Sequence, residues 1–300
     1  MLNIMNRQSK FSFRNILLVG CLGLLFMNCA TLKAQEIEMR LSDVYRHSIR
    51  QEQSAIPLPY VRENDVIWEM VIWRTINFRE KFNQFFYYPT EEEGIEGRRN
   101  FAYVIWDAVV RGEIPIYEDD ELKIPLDNDQ FVYQYTKADT MILEIVDENE
   151  NYEYKSILVP RDFTSEDILQ LRIKEAWYLD KQTTGQYVRI LALAICKDYY
   201  KEIGLDREFM GTINLFWIPM LDPRTRNLLA KYEAYYEDNI AHLPSWEEIF
   251  TSRMFDSFIT RETNRFNRSI SDYLTGTDAI MESERIENRL LEIGEDQWEW

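Results

Sequence analysis

The sequence predicts an α+β fold in which antiparallel hairpins and a mixed sheet are flanked by helices and preceded by an extended N-terminal arm. Strand-like runs occur in neighbouring pairs separated by short turns, which is typical of β-hairpins. Helical patterns lie apart from these pairs instead of alternating with single strands, and this segregation favours α+β over α/β. Pro57 and Pro59 hold their predecessors in extended geometry ahead of the domain.

Residues 1–34 have the features of a secretory signal peptide. Basic residues precede an apolar run over residues 16–27, which is too short to span a bilayer. Ala34 offers a cleavage point. Lipidation at Cys21 or Cys29 is an alternative to a freely released chain, and a buried N-terminal helix is another.

The mature chain is predicted to have an arm over residues 35–60 and a single domain over residues 61–300. The full chain carries a net charge of −18, and the signal segment contains four basic residues and no acidic one. Export therefore leaves a still more acidic protein, which disfavours nucleic acid and favours basic partners. We expect no transmembrane segment after the signal. Cys196 is the one cysteine beyond it, so no intrachain disulfide can form.

The first part of the domain is predicted to be helical and then extended. Asn64 is a candidate N-cap, because Val66, Met70 and Trp73 would then share one helix face. The aromatic run over residues 85–89 indicates extended backbone before an acidic loop.

The middle of the domain is predicted to contain a helix and two hairpins. Apolar spacing over residues 101–111 indicates the helix, with Gly112 as its C-cap. The hairpins cover residues 139–160 and 168–197. The nearly continuous apolar run over residues 188–195 predicts a central strand buried on both faces.

The last part is predicted to return to helices after one more strand. Residues 213–218 form that strand. Asp222 and Pro223 begin one helix, Ser245 opens another through a capping box, and residues 277–293 have the pattern of an amphipathic helix.

The residues that could carry chemistry do not form a catalytic or metal site. His47 and His242 lack the spacing of metal ligands, and Cys196 lies in an apolar run typical of a buried thiol. No nucleophile motif or phosphate-binding glycine loop occurs. The sequence therefore predicts no cofactor and no enzymatic activity.

Residue types that dominate protein interfaces cluster early in the domain. Tryptophan, tyrosine and arginine are the usual binding hot spots. Packing in a core is the alternative for each aromatic residue. The candidate partner-interface residues are Trp68, Trp73, Arg74, Arg79, Tyr87 and Tyr88.

Several separated blocks, found in one order over about residues 58–300, resemble the GldN/PorN family. Because the blocks are many and ordered, the resemblance is more specific than a single motif. The family often has basic residues after its first tryptophan, where this chain has Glu69-Met70-Val71-Ile72. The blocks include Arg62-Glu63-x-Asp65-Val66-x-Trp68, Trp73-Arg74-x-Ile76-x-x-Arg79-Glu80-Lys81, Tyr87-Tyr88-Pro89-Thr90, Lys174-Glu175-x-Trp177-x-x-Asp180-Lys181-Gln182 and Leu215-Phe216-Trp217.

The resemblance implies a non-enzymatic component of the type IX protein secretion and gliding motility machinery. It implies a periplasmic location at the inner face of the outer membrane, in a ring complex with a GldK/PorK-like lipoprotein. Self-association in the ring and contact with GldL- and GldM-like motor proteins are further implied. A periplasmic carbohydrate-binding protein or hydrolase is the alternative, because exposed tryptophan and tyrosine beside acids can stack on and hydrogen-bond to sugars.

Overall fold

A computed structural model gives the fold of most of the domain. The predicted signal segment, residues 35–53 of the predicted arm, both lipidation candidates and both histidines lie outside the described residues. The described residues are 54–95, 97–136, 139–146, 152–159, 163–203, 206–236 and 243–295.

The described residues form strands and α-helices joined by short 3₁₀ turns. The strands are β1 (Val66–Asn77), β2 (Ile116–Tyr117), β3 (Pro125–Leu126), β4 (Asp139–Val146), β5 (Tyr152–Val159), β6 (Ile168–Asp180), β7 (Gly185–Ile203), β8 (Asp206–Pro219) and β9 (Phe258–Glu262). The helices are α1 (Gln84–Tyr87), α2 (Phe101–Val110), α3 (Asn128–Tyr135), α4 (Pro223–Lys231), α5 (Trp246–Thr251) and α6 (Thr277–Glu295).

One sheet organises the domain and confirms the α+β class. Its strand order is β3-β2-β8-β7-β6-β1-β9, and β4 and β5 form a separate hairpin. Every pairing found within the described ranges is antiparallel, so the expected mixture of strand directions is wrong. Short connections such as residues 181–184 reverse the chain between neighbouring strands, which imposes antiparallel pairing.

Both predicted hairpins are present, as β4–β5 and β6–β7. Strand β7 is also buried on both faces over residues 192–196, as its apolar run predicts. The pairing of β7 with β6 ends at Lys197, opposite Ile168 of β6. Strand β7 continues beyond this point and pairs with β8 until Ile203 lies opposite Asp206. The β7–β8 pair therefore extends past the end of β6.

The predicted helix after Asn64 is wrong. A single 3₁₀ turn, Glu63–Asp65, precedes strand β1. This strand pairs with β6 on one side and β9 on the other. Its β-branched and aromatic residues suit an interior strand, and these pairings outweigh the helical spacing of Val66, Met70 and Trp73.

The predicted extended geometry of the aromatic run over residues 85–89 is also largely wrong. Gln84–Tyr87 form the short helix α1, whose Phe85 and Phe86 face the core. Tyr88 is extended, with φ −92° and ψ 149°. The steric restriction by proline acts on its immediate predecessor alone, so Pro89 controls Tyr88 and leaves the turn before it free to be helical.

Local capping determines where three predicted helices begin. The side chain of Asn100 accepts a hydrogen bond from the Tyr103 amide at the start of α2. Asp222 caps α4, and Ser245 opens α5 with both bonds of a capping box. Gly112, just beyond α2, has the positive φ of 66° expected of a C-terminal cap.

The two faces of the sheet are covered differently. On one face, helices α1, α2, α4 and α5 cover the main core, and α6 covers β1 and β9 in a second cluster. Ile72 of the second cluster and Ile76 of the main core lie four residues apart on β1 and therefore point to the same face. Because side chains alternate along β7, Leu193 and Ile195 join the main core while Ala192, Ala194 and Cys196 lie on the opposite face. There they pack with Trp217 beneath Tyr117 and Leu122 of the β2–β3 region.

Candidate interaction surfaces

Trp73 is half-buried and is held in place by a charged cluster. It lies on the sheet face opposite the main core, and its Nε1 donates to Asp120 Oδ2 at 2.8 Å. The Arg261 guanidinium lies 3.5 Å from the ring centroid, and the Lys174 ammonium lies 5.3 Å from it. Asp120 also accepts from Arg261 at 2.7 Å. Through Asp120, the cluster links the β2–β3 loop to strands β1 and β9 of the sheet.

Arg74 points the other way and is buried, with 2% of its surface exposed. Its guanidinium approaches Glu175 at 3.4 Å and Glu287 at 3.0 Å. Glu175 is fully buried and also accepts from Arg253 at 2.7 Å and from Trp177 Nε1 at 3.0 Å. These contacts join β1 and β6 to α6 and to the turn after α5, so Arg74 supports the fold and does not reach the surface.

Trp68 and Tyr87 are half-buried. Trp68 packs against the apolar cluster under α6, and Tyr87 packs against the main core. Burial is the main cause that raises the pKa of Tyr87 above its ordinary value, followed by the nearby carboxylate of Glu166. Most of the surface of these two aromatic rings serves packing within the chain.

Arg79 and Tyr88 are the members of the predicted set whose side chains reach the surface. Arg79 is 54% exposed and donates to Asp198 Oδ2 at 3.0 Å. Asp198 is buried and also accepts from the Thr212 hydroxyl at 2.8 Å. Tyr88 is 50% exposed and lines a groove.

The groove beside Tyr88 has a volume of about 840 Å³, and five of its eleven described lining residues are aromatic. Phe85 forms part of its floor, with its ring centroid 5.3 Å from that of Tyr236 in an edge-to-face arrangement. The sequence analysis did not single out Phe82, Tyr235 or Tyr236. The two tyrosines lie far along the chain from α1, so no local pattern links them to it. The lining residues are Lys81, Phe82, Gln84, Phe85, Tyr88, Pro89, Thr90, Glu91, Ile95, Tyr235 and Tyr236.

The described end of the arm, residues 54–60, has no regular secondary structure and is tied to the domain through its backbone. The Ala55 amide donates to Asn227 Oδ1 at 3.0 Å. Arg226 donates to the Ile56 carbonyl at 2.7 Å, and Arg189 donates to the Pro59 carbonyl at 2.8 Å. These bonds fix the course of the segment across the domain surface.

The chemistry of the described side chains points to packing. No group of three or more histidine, cysteine, aspartate or glutamate side chains within the described ranges could hold a metal ion. Burial raises the pKa of the Cys196 thiol to about 12, which keeps it protonated and unreactive at neutral pH. Where the fold is described, no helix is both long and apolar enough to cross a membrane.

A comparison with protein families supports the resemblance indicated by the ordered sequence blocks. The family model described as "Gliding motility associated protein GldN" matches residues 61–299. The chain belongs to this family. The match runs from before β1 to beyond α6 and includes every sheet strand, so the resemblance to GldN/PorN proteins is confirmed. The chain is thereby a gliding motility associated component. A search of curated proteins finds no match.

Proposed function

We propose that the protein is a non-enzymatic structural and assembly component of the type IX protein secretion machinery. It resides in the periplasm at the inner face of the outer membrane, in a ring complex with a GldK/PorK-like lipoprotein. GldL- and GldM-like motor proteins are further partners. The family match over residues 61–299 carries the proposal, and the signal-like segment 1–34 supports export.

The contact with partner chains uses Arg79 and Tyr88. A hot spot must present its side chain to the partner, and these two are half-exposed. Arg79 uses one nitrogen for Asp198, and a guanidinium has further N–H donors for a partner. Trp68, Trp73, Arg74 and Tyr87 hold the surrounding fold in shape.

Affinity capture of the tagged chain from cell envelopes in mild detergent tests the lipoprotein contact. We expect a lipoprotein to co-purify with the wild-type chain and its recovery to fall severalfold in the Arg79→Ala, Tyr88→Ala double variant. Tyr133→Ala is the matched control, since Tyr133 is also exposed but lies on α3 outside the groove. Equal recovery with all three chains would refute the proposed contact residues. Absence of any lipoprotein from the wild-type eluate would refute the partner.

Binding of a carbohydrate is a second candidate, favoured by the groove. Tyr88 and Phe82 present exposed rings there, with Gln84 and Glu91 available to hydrogen-bond to sugar hydroxyls. Titration with peptidoglycan fragments and soluble oligosaccharides tests it. Saturable binding that is lost in Tyr88→Ala would support the candidate, and a flat titration would eliminate it.

A further inference from the structure

The described end of the arm is an extended segment held in place with its apolar side chains turned to solvent. Ile56 is 79% exposed and Tyr60 is 88% exposed, and Leu58 between them is 37% exposed. The backbone of the same segment is bonded to the domain at three points. A flexible tail would have to be ordered on binding, whereas this segment has already lost much of that freedom.

One of these three hydrogen bonds comes from a buried side chain of the domain. Arg226 is buried and forms an ion pair with Glu247, which is also buried and accepts a hydrogen bond from the Thr251 hydroxyl. From this pair Arg226 reaches out to the Ile56 carbonyl. A buried guanidinium needs hydrogen-bond acceptors, so releasing the segment would leave part of its donor capacity unsatisfied. The anchored backbone therefore holds the side chains of Ile56, Leu58 and Tyr60 towards solvent.

The aromatic groove beside Tyr88 has the chemistry that recognises such a segment. Extended segments with closely spaced prolines bind to grooves lined by aromatic rings. The arm has this character in Ile56-Pro57-Leu58-Pro59-Tyr60. At about 840 Å³, the groove falls within the usual size of ligand sites, roughly 300–1,000 Å³. The described lining includes no residue of 54–60, so this described segment of the same chain does not fill the groove.

The charge of the chain favours residues 54–60 as the part of one copy that contacts another copy. Each full chain carries a net charge of −18, so two copies repel one another. Residues 54–60 contain no charged side chain, and the described lining of the groove has one residue of each charge, Lys81 and Glu91. Contact through a neutral, apolar segment avoids setting one acidic surface directly against another.

We propose that Ile56–Tyr60 of one copy dock into the groove lined by Phe82, Tyr88 and Tyr236 of a second copy. The contact is head-to-tail, because arm and groove are different surfaces, and such a contact repeats around a ring or along a filament. The inference rests on the proposed assembly function and assigns one of its self-contacts. It places the copy-to-copy contact, Tyr88 included, at the groove, so the loss of lipoprotein expected of the Arg79→Ala, Tyr88→Ala variant is attributed to Arg79.

Sedimentation of the purified full chain over a range of concentrations tests the contact. Leu58→Asp should raise the concentration needed for half-maximal self-association by about tenfold or more, because it places a charge in an apolar groove. Ile124→Asp is the matched control, since Ile124 is also an exposed aliphatic residue but lies in the β2–β3 region. Equal effects of the two substitutions would overturn the assignment. Added salt should strengthen the wild-type association by screening repulsion, and weakening by salt would contradict an apolar contact.

A crosslinking experiment identifies the two surfaces directly. Leu58→Cys and Phe82→Cys are prepared as separate variants of a chain that also carries Cys21→Ser and Cys29→Ser, mixed, and treated with a short bismaleimide. We expect covalent dimers in the mixture and not in either variant alone, since the native thiol at Cys196 is buried. Self-association without mixed dimers, or equal dimers in the unmixed samples, would overturn the assignment.

The lipoprotein capture separates failure of this inference from failure of the proposed function. Leu58→Asp should still recover the lipoprotein while losing self-association. If it loses the lipoprotein and keeps self-association, the arm binds the lipoprotein and the inference is wrong. If the wild-type chain recovers no lipoprotein but its self-association still depends on Leu58, the assembly with a lipoprotein fails and the arm contact stands.

Discussion

Replacement of Arg74 by methionine tests whether this residue serves the fold or a partner. Removing one member of a buried ion pair costs about 3–5 kcal/mol when the other charge is left uncompensated. Glu175 is fully buried but keeps Arg253 at 2.7 Å and Trp177 Nε1 at 3.0 Å. We therefore expect Arg74→Met to lower the free energy of unfolding by about 2–3 kcal/mol, below that range.

The reciprocal change is expected to be larger. Glu175→Leu leaves the buried Arg74 with Glu287, which is half-exposed, so we expect a loss of about 3–5 kcal/mol. The double variant should lose less than the sum of the single variants, by more than about 1 kcal/mol, because the two side chains interact directly. Arg285→Met is the control: its pair with Glu282 is at the surface, and its loss should stay within about 1 kcal/mol.

Urea unfolding followed by tryptophan fluorescence and circular dichroism measures these differences, provided that the slope against denaturant stays constant. The reasoning fails if Arg74→Met changes the free energy of unfolding no more than Arg285→Met does. If the same variant then fails to recover the lipoprotein, Arg74 acts at the interface and the burial argument is wrong.

Three further predictions concern caps and titration. Ser245→Ala should lower the free energy of unfolding by about 1 kcal/mol, because it breaks the capping box of α5; an unchanged urea midpoint would contradict this. The Cys196 thiol should resist a disulfide reagent at pH 8 until urea is added, and rapid labelling of the native chain would contradict its burial. Because burial raises the pKa of this thiol, its contribution to the free energy of unfolding should be complete below about pH 8.5 and should be lost as the pH rises towards 12. The hydrogen bond from Arg224 lowers the pKa of Asp222, so the cost of Asp222→Ala should be about 1 kcal/mol at pH 7 and shrink as pH falls below about 3.9; a pH-independent cost would contradict the linkage.

Local patterns predicted the elements whose boundaries are set by nearby residues. The capping box at Ser245, the proline at the start of α4 and the glycine after α2 each act within one turn of chain, and each is found where expected. Strand β1 differs because its conformation depends on β6 and β9, which come more than 80 residues later. A helical spacing over a few residues carries no information about those partners.

The candidate surfaces were predictable in part. The aromatic and arginine cluster includes Tyr88, which is exposed and lines the groove, but the same residue types also build the Trp73 and Arg74 clusters within the fold. The partners that bury Arg74 come from β6 and α6, and Tyr235 and Tyr236 enter the groove from beyond α4. Burial and groove formation at these sites follow from tertiary contacts, which no local spacing encodes.

The native mass of the complex captured from cell envelopes tests the assembly role most directly. The tagged chain is purified in mild detergent, its partners are identified, and the mass of the intact particle is measured. The account predicts a lipoprotein in a particle many times heavier than the 36.1 kDa chain. Recovery of the chain alone, at the mass of one copy, would contradict it.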